Sequence, residues 1–399
     1  MTQIKILAPM GSRSFFGAER ANIDLLCRMQ QRGAEVLCLV RHEDWPENIA
    51  LRAALSSRGL VWERAPFPDY PSIRYWRYWP RVAIETPWRY WGLNRSAEHA
   101  IRHCGFTHLH LFNPFQAASL RRAIIRTNIP VVYRCGEIPV SHNAFYRAIW
   151  KWLARRITRF VAESNFLQQL LLDLDVLESK ILVVRTPAPA RSVTAIPSKL
   201  LFQSPRKSLR FAFLGQISEF KGLDVLVAAF RLALSEFPDA QLCIAGPIDS
   251  SWSKALVAEC APYIEAGSIA FLGPVEDVEA YLRACDVHLA PSLKPEGYGL
   301  VVVEAKEAAL PSIVFAEGGL AELVVDGQEG IALTEKSPQA LADAMLAYCR
   351  DPARAKADGR RARASLTERL QVDRHDDAWW AVYVGTAIGG AGHATGDHR

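Results

Sequence analysis

An α/β fold built from two doubly wound parallel-sheet domains is what this chain predicts. Three observations carry the expectation. Strand-like and helix-like segments alternate along the length. A proline-rich stretch interrupts the rhythm once, near the middle. The 399 residues also exceed what one hydrophobic core usually covers.

Ile4–Ala8 reads as the first strand; it is too early and too short to be a signal peptide. A glycine-bearing loop runs from Gly11 to Gly17. Glu19–Gln31 then has helical spacing through Ile23, Leu25, Leu26 and Met29. Glu35–Val40, His108–Phe112, Val131–Arg134, Arg159–Glu163 and Lys180–Val184 follow as β-like runs. Thr186 to Ser208 holds Pro187, Pro189, Pro197 and Pro205 with little periodicity, so it reads as the linker.

The rhythm then restarts with strands at Arg210–Leu214, Gln241–Ala245, Ser268–Leu272, Val287–Ala290, Ser312–Phe315 and Gly330–Leu333. Helical segments separate them: Leu223–Phe237, Val278–Cys285, Leu300–Ala309, Leu320–Val325 and Pro338–Cys349. Glu368–Ala387 reads as a final helix. The expected divisions are a first domain over residues 1–190, a second over 191–373 and a Gly- and His-rich tail, 389–399, without fixed structure.

Half the residues are apolar and 22% are charged, which fits a globular protein and excludes disorder. Eight cysteines are scattered with no C-x-x-C pair, as reduced core residues would be. A reducing, cytoplasmic setting without a zinc site is therefore expected. No uncharged apolar run approaches the ~20 residues that span a bilayer. Charge is uneven. Residues 1–190 carry 26 Lys+Arg against 15 Asp+Glu, a net +11, whereas the remainder is net −6. The basic half should face something anionic.

The chemistry concentrates behind predicted strands. In Gly215-Gln216-Ile217-Ser218-Glu219-Phe220-Lys221-Gly222, glycine ends a strand and lets a phosphate approach the backbone. Lys221 supplies positive charge, and a helix opening near Leu223 adds its dipole. Taken alone, the pattern equally describes a turn with a solvated lysine. The stretch from Glu296 to Glu304 sets two carboxylates eight residues apart, with Gly297, Gly299 and a buried-looking Val301-Val302-Val303 between them. A carboxylate accepts from two vicinal hydroxyls at once, which suits a ribose diol or a hexose edge. Gly246-Pro247 also follows a strand. Ligands of such sheets gather at the carboxyl ends of strands, here expected in a cleft between two domains.

These pieces resemble the retaining GT-B glycosyltransferases of the family 4, group 1 type. Gly17-Ala18-Glu19-Arg20 resembles that family's loop-to-helix entry, and Ala162-Glu163-Ser164 with Lys180–Val184 its segment ahead of the linker. Gly215…Lys221-Gly222 is similar to its diphosphate turn. Pro291-Ser292-Leu293-Lys294-Pro295-Glu296-Gly297-Tyr298-Gly299 through Glu304-Ala305 is similar to its E-x₇-E motif, and Gly318-Gly319-Leu320-Ala321-Glu322 to the segment that follows. The resemblance implies roles. Lys221 would neutralise the departing diphosphate, Glu304 would hold the ribose and Glu296 would touch the donor sugar's hydroxyls. Gly297, Tyr298, Gly299 and Leu300 would offer backbone amides. Gly273, Val275 and Glu276 would lie near the base, with Gly17, Gly215, Gln216 and Gly246 completing the donor site. Transfer would keep the anomeric configuration and need no cofactor or metal. The final helix around Trp379, Trp380 and Tyr383 would cross back onto the first domain.

Two positions depart from that family's pattern. Gln216 stands where arginine is common, and it can donate a hydrogen bond but not neutralise charge. In Val131-Val132-Tyr133-Arg134-Cys135-Gly136-Glu137 the family's histidine falls at Gly136, so Glu137 or Arg134 would face the cleft, with Glu137 the candidate catalytic group.

His108 and His110 alternate in a strand-like run without matching carboxylates or cysteines, which favours wall packing over metal binding. Cys135 in a β run reads as core. Tyr70–Arg81 and Trp88-Arg89-Tyr90-Trp91 mix aromatic and basic residues, as does Phe145–Arg156, where Phe145, Ile149, Trp152 and Leu153 share one helix side. Such stretches suit a bilayer interface or a sugar-stacking surface; equally, Phe145–Arg156 is an ordinary amphipathic helix that packs that side on the first domain. Nucleic acid is disfavoured for want of a recognisable module.

The expectation is glycosyl transfer from a nucleotide-diphosphate sugar to a glycan or lipid-linked acceptor in bacterial cell-surface polysaccharide synthesis. The location expected is cytoplasmic or peripheral at the inner face of the plasma membrane, with an anionic membrane surface as a candidate partner. The alternatives are a nucleotide-sugar epimerase, a glycan phosphorylase or a non-catalytic nucleotide-sugar-binding relative on the same architecture.

Overall fold

The computed structural model describes residues 3–11, 17–69, 79–188, 209–369 and 372–389. The loop from 12 to 16, the aromatic stretch from Tyr70 to Tyr78, most of the proline-rich linker and the tail from 390 lie outside them. Two compact units divide the chain, one up to Thr186 joined by residues from Val372 onward, the other beginning at Pro187.

The first domain is a seven-stranded, all-parallel sheet: β1 (Lys5–Met10), β2 (Glu35–Arg41), β3 (Val61–Ala65), β4 (His108–Leu111), β5 (Val131–Cys135), β6 (Arg159–Ala162) and β7 (Ile181–Val183). Their order is 3-2-1-4-5-6-7. The register sets Lys5 beside Glu35, and their side chains pair at 2.6 Å. Side chains alternate between the faces, and helices cover both, as a parallel sheet requires. Leu7, Leu109, Leu111, Val131 and Tyr133 are buried on one face with Trp150 and Leu153 of helix Ala144–Arg156. Ile6, Ala8, Cys38, Val132 and Val161 are buried on the other.

That second face is closed by helices Gly17–Gln31 and Val372–Gly389. Trp379 and Tyr383 are fully buried there. Arg28 bonds Asp376 at 2.8 Å, and the Tyr383 hydroxyl meets His110 Nδ1 at 2.8 Å. His110 Nε2 in turn bonds Asn22 Oδ1 at 2.9 Å. The terminal helix is thus wired through a buried histidine to the opening helix of its own domain.

The second domain has six parallel strands: β8 (Arg210–Leu214), β9 (Gln241–Ala245), β10 (Ile269–Gly273), β11 (Val287–Ala290), β12 (Ser312–Phe315) and β13 (Gly330–Leu333), in the order 10-9-8-11-12-13. Phe211, Phe213, Leu242 and Ile244 fill one face, Ala212, Cys243 and Ala245 the other.

Two details differ from the sequence reading. Strand β3 carries no alternating signal, because it is an edge strand with Val61 62% exposed and charged neighbours. In helix Ala144–Arg156, Phe145 does not join the buried side but is 67% exposed. Trp150 is the anchor instead, its indole donating to the Val140 carbonyl at 3.0 Å. The helix docks through Trp150, Leu153 and Ala154, a strip offset from the one expected. Seven cysteines are buried and Cys104 is exposed; none is bridged. Cys135 is a core residue, and its burial raises the thiol pKa.

His108, His110 and His288 are fully buried. Burial lowers them from 6.5 to about 4, about 3 and about 3 respectively. They stay neutral in the fold, while the unfolded chain gains protons below about pH 6.5. Stability is therefore present at neutral pH and lost as pH falls toward those folded values. Each histidine should cost about 1 kcal/mol per pH unit below its ordinary value. A Tm series should fall from pH 7 to pH 5, more shallowly in His110→Gln; a flat wild-type profile would contradict this.

Candidate active site

In the second domain β8 lies between β9 and β11, and the chain works outward from it in both directions. The chain leaving β8 therefore heads to one side of the sheet and the chain leaving β11 to the other, the switch point at which such sheets open a crevice at the carboxyl ends of their strands. The β8 loop runs through Gly215 and Gln216 into a short 3₁₀ turn, Glu219–Lys221, and then helix Leu223–Glu236. Gly222 joins turn to helix at φ 71°, where a Cβ would stand 2.0 Å from the Pro291 carbonyl oxygen. Only glycine lets the two loops touch. The Leu293 amide then donates to the Phe220 carbonyl at 3.0 Å, fastening the β11 loop to the lysine turn.

That contact brings together two residues 75 positions apart. Lys221 Nζ lies 2.8 Å from Glu296 Oε1, with side chains 31% and 17% exposed. The Ser292 hydroxyl donates to the same oxygen. The backbone of Glu296 is fixed from the other side: the Gly319 amide donates to its carbonyl at 2.7 Å, and Glu296 bridges to Gly318 beyond β12. The carboxylate is anchored while part of it still meets solvent.

Gly299, at φ 106°, opens helix Leu300–Glu307. Glu304 is that helix's fifth residue, past the first turn and only 9% exposed. The helix is held from behind by Lys306, whose Nζ lies 2.7 Å from Glu329 Oε2 and 3.3 Å from Ser365 Oγ. Burial pushes the Glu329 carboxyl up, but hydrogen bonds from Lys306 and Ser365 outweigh it and hold the group below its usual range.

Gly215, Gly246 and Gly273 end or follow the neighbouring strands β8, β9 and β10 and extend their ladder. The Gly215 amide donates to Ala245 at 3.0 Å and the Gly246 amide to Gly273 at 2.9 Å. Gln216 and Glu276 are exposed, Val275 and Leu300 half-buried. Tyr298 is 3% exposed and packs among Val302, Val303 and Leu320. Its ring belongs to the core, so only its backbone is available to a ligand.

Gly17 and Glu137 belong to the first domain. Gly17 opens helix Gly17–Gln31. Arg134 on β5 is 4% exposed, ion-paired with Glu163 and bonded to the Ala18 carbonyl at 3.4 Å. Thr186 donates to Glu163 at 2.6 Å. Arg134 is thereby committed to the packed interior. Glu137 presents surface to solvent. The protein packed around its carboxyl group and the charges of Glu19 and Glu163 raise its pKa, against the pull of Arg134.

Sequence reasoning gave no role to Ser292, Lys306 or Glu329. For Ser292 the only signal was its place four residues before Glu296. Among the described residues no group of three metal-ligating side chains occurs, and no helix is long and apolar enough to cross a membrane.

This geometry can be set beside known proteins. Residues 200–365 match the family model for glycosyl transferases group 1, and residues 16–192 match that for glycosyltransferase family 4. The chain belongs to the group 1, family 4 glycosyltransferases. Among curated members, the lipopolysaccharide core biosynthesis mannosyltransferase LpcC of Rhizobium leguminosarum bv. viciae is 27% identical over 245 residues, 60% of this chain and 67% of that protein. The phosphatidyl-myo-inositol mannosyltransferase of Mycobacterium leprae is 33% identical over 150 residues, 37% of this chain and 39% of that protein. Solved glycosyltransferases share the fold. HepE of Anabaena, in complex with UDP-glucose, superimposes with a TM-score of 0.76 at 19% identity, covering 96% of this chain and 100% of that one. A glycosyltransferase of Rickettsia africae gives 0.79 at 19% identity, covering 97% and 99%. The two Rossmann-like sheets are those of the GT-B architecture.

Gly222→Ala should destabilise the second domain by more than the ~1–2 kcal/mol of left-handed strain alone. Gly327→Ala isolates that strain, since Gly327 has φ 69° with nothing within 4 Å of an added Cβ. Denaturant titration should rank Gly222→Ala clearly below Gly327→Ala; equal losses would show that loop contact is unimportant.

Proposed function

We propose that the protein transfers a glycosyl group, with retention, from a nucleotide-diphosphate sugar to a glycan or lipid-linked acceptor. The observation that carries the reading is the Lys221–Glu296 pair beside the β8–β11 crevice, one oxygen of the carboxylate held and the other given no hydrogen bond among the described residues. In this reading the ammonium is the counter-charge for the departing diphosphate, assisted by the helix that begins at Leu223. Glu296 accepts from hydroxyls of the transferred sugar and Glu304 from the ribose diol. Leaving-group charge is met by Lys221 rather than by a metal ion. Glu137 is the first domain's candidate catalytic group, and the upward direction of its pKa is the one a proton-handling carboxyl needs. Family membership supports the reaction class, and mannosyltransferases among the relatives, LpcC and the phosphatidyl-myo-inositol enzyme included, support an envelope glycan or glycolipid acceptor.

The acceptor reading gains from charge placement. Residues 79–156 hold 12 Lys+Arg and only 3 Glu, with no Asp. Helix Ala144–Arg156 has no acidic residue and exposes Arg147, Lys151, Arg155 and Arg156 beside Phe145. Trp88, in helix Trp79–His103, is 76% exposed. A cytoplasmic enzyme that meets a lipid-linked acceptor at an anionic membrane surface would use such a face.

A thermal-shift screen with UDP, GDP, ADP and their sugars should single out one base by its rise in Tm. With that donor, Lys221→Ala and Glu296→Gln should each lower kcat about 100-fold or more. Near-normal turnover in both variants would defeat the assignment. In flotation, the protein should rise with vesicles containing anionic phosphatidylglycerol at low salt and detach at 0.5 M salt. Absence from those vesicles at low salt would remove the membrane reading.

A further inference from the structure

We infer that Ser292 is a positioning residue for the donor sugar, acting through Glu296. This rests on the assignment of Glu296 to the sugar. An ion pair and a hydrogen bond from different loops converge on one oxygen of that carboxylate: Lys221 Nζ of the β8 turn lies 2.8 Å from it, and the Ser292 hydroxyl of the β11 loop donates to it. Among the described residues nothing bonds the second oxygen, Oε2. A carboxylate gripped through one oxygen turns the other in a fixed direction, and here the open oxygen is the one left for a ligand hydroxyl.

The two grips are not equivalent. Lys221 carries three donors on a flexible stem and is 31% exposed, so an arriving diphosphate draws its charge and competes with Glu296 for it. Ser292 is 3% exposed, beneath the carboxylate, and immediately follows Pro291, whose carbonyl abuts Gly222. It is neutral and buried, so it offers a phosphate no counter-charge. When the ammonium is shared, the serine still holds Oε1 and keeps Oε2 aimed at the sugar. Lys221 then serves the diphosphate and Ser292 preserves the sugar contact, so one residue's substitution should separate the two parts of the donor.

The test compares a nucleotide with its sugar: UDP against UDP-glucose and GDP against GDP-mannose, by titration calorimetry, carrying forward the pair that raises wild-type Tm more. In Ser292→Ala, affinity for the nucleoside diphosphate should stay within twofold of wild type while affinity for the nucleotide sugar falls about five- to tenfold. Ser292→Thr, which keeps the hydroxyl, should restore most of the loss. Glu296→Gln is measured alongside. If it weakens the nucleotide sugar and Ser292→Ala does not, the positioning role is wrong and the sugar assignment of Glu296 stands. If Glu296→Gln has no effect on nucleotide-sugar binding, that assignment fails and the inference with it. Equal loss of both ligands in Ser292→Ala, or no rescue by threonine, would show a merely structural serine and overturn the proposal.

Discussion

Everything in the second domain converges on a cation and a carboxylate held together where adjacent parallel strands send their chains in opposite directions. An exposed Lys–Glu pair contributes little to stability. This one is partly desolvated and locked by backbone on both sides, through Phe220–Leu293 and through Glu296–Gly319. In the proposed reading, a ligand that brings its own anion and hydroxyls takes the place of each partner in the pair. The glycines beside it are explained by the same requirement, because a side chain at Gly222 would drive the two loops apart and separate the pair.

Behind the pair the supports are conventional in kind. A buried Lys306–Glu329 bridge fixes the helix that carries Glu304, and removing either partner would strand a charge in the interior. In the first domain, one guanidinium, Arg134, acts on Glu137 alongside Glu19 and Glu163; burial, and then the charges of Glu19 and Glu163, raise the Glu137 pKa against the pull of Arg134. The terminal helix is drawn into the same domain by two fully buried aromatic rings, Trp379 and Tyr383, and by the Arg28–Asp376 bond.

Much of this was legible in the residues, for identifiable reasons. Strands buried on both faces announce themselves as short apolar runs, so the expected cores of β1, β2, β4–β6 and all six strands of the second domain fall within observed elements. Strand β3 was silent because an edge strand need not be apolar. The 25-residue helix Trp79–His103 was silent because Pro87 and its mixture of Trp, Tyr and Arg mask its period. At the site, charged residues on glycine turns could be read, since lysine and glutamate are conspicuous and their spacing is local. Ser292 could not, because a serine acquires its role only from the partner that folding brings to it. The same limit hid Lys306 and Glu329, 23 residues apart, and misplaced the buried side of helix Ala144–Arg156 by one position.

A crystal structure of the protein with an unhydrolysable analogue of its preferred nucleotide sugar would show whether the cation and the carboxylate part to receive the donor. Lys221 Nζ should lie on the diphosphate and Glu296 Oε2 on a sugar hydroxyl, with Ser292 still on Oε1. A diphosphate bound away from the β8–β11 crevice, with Lys221 and Glu296 still joined to each other alone, would contradict that arrangement.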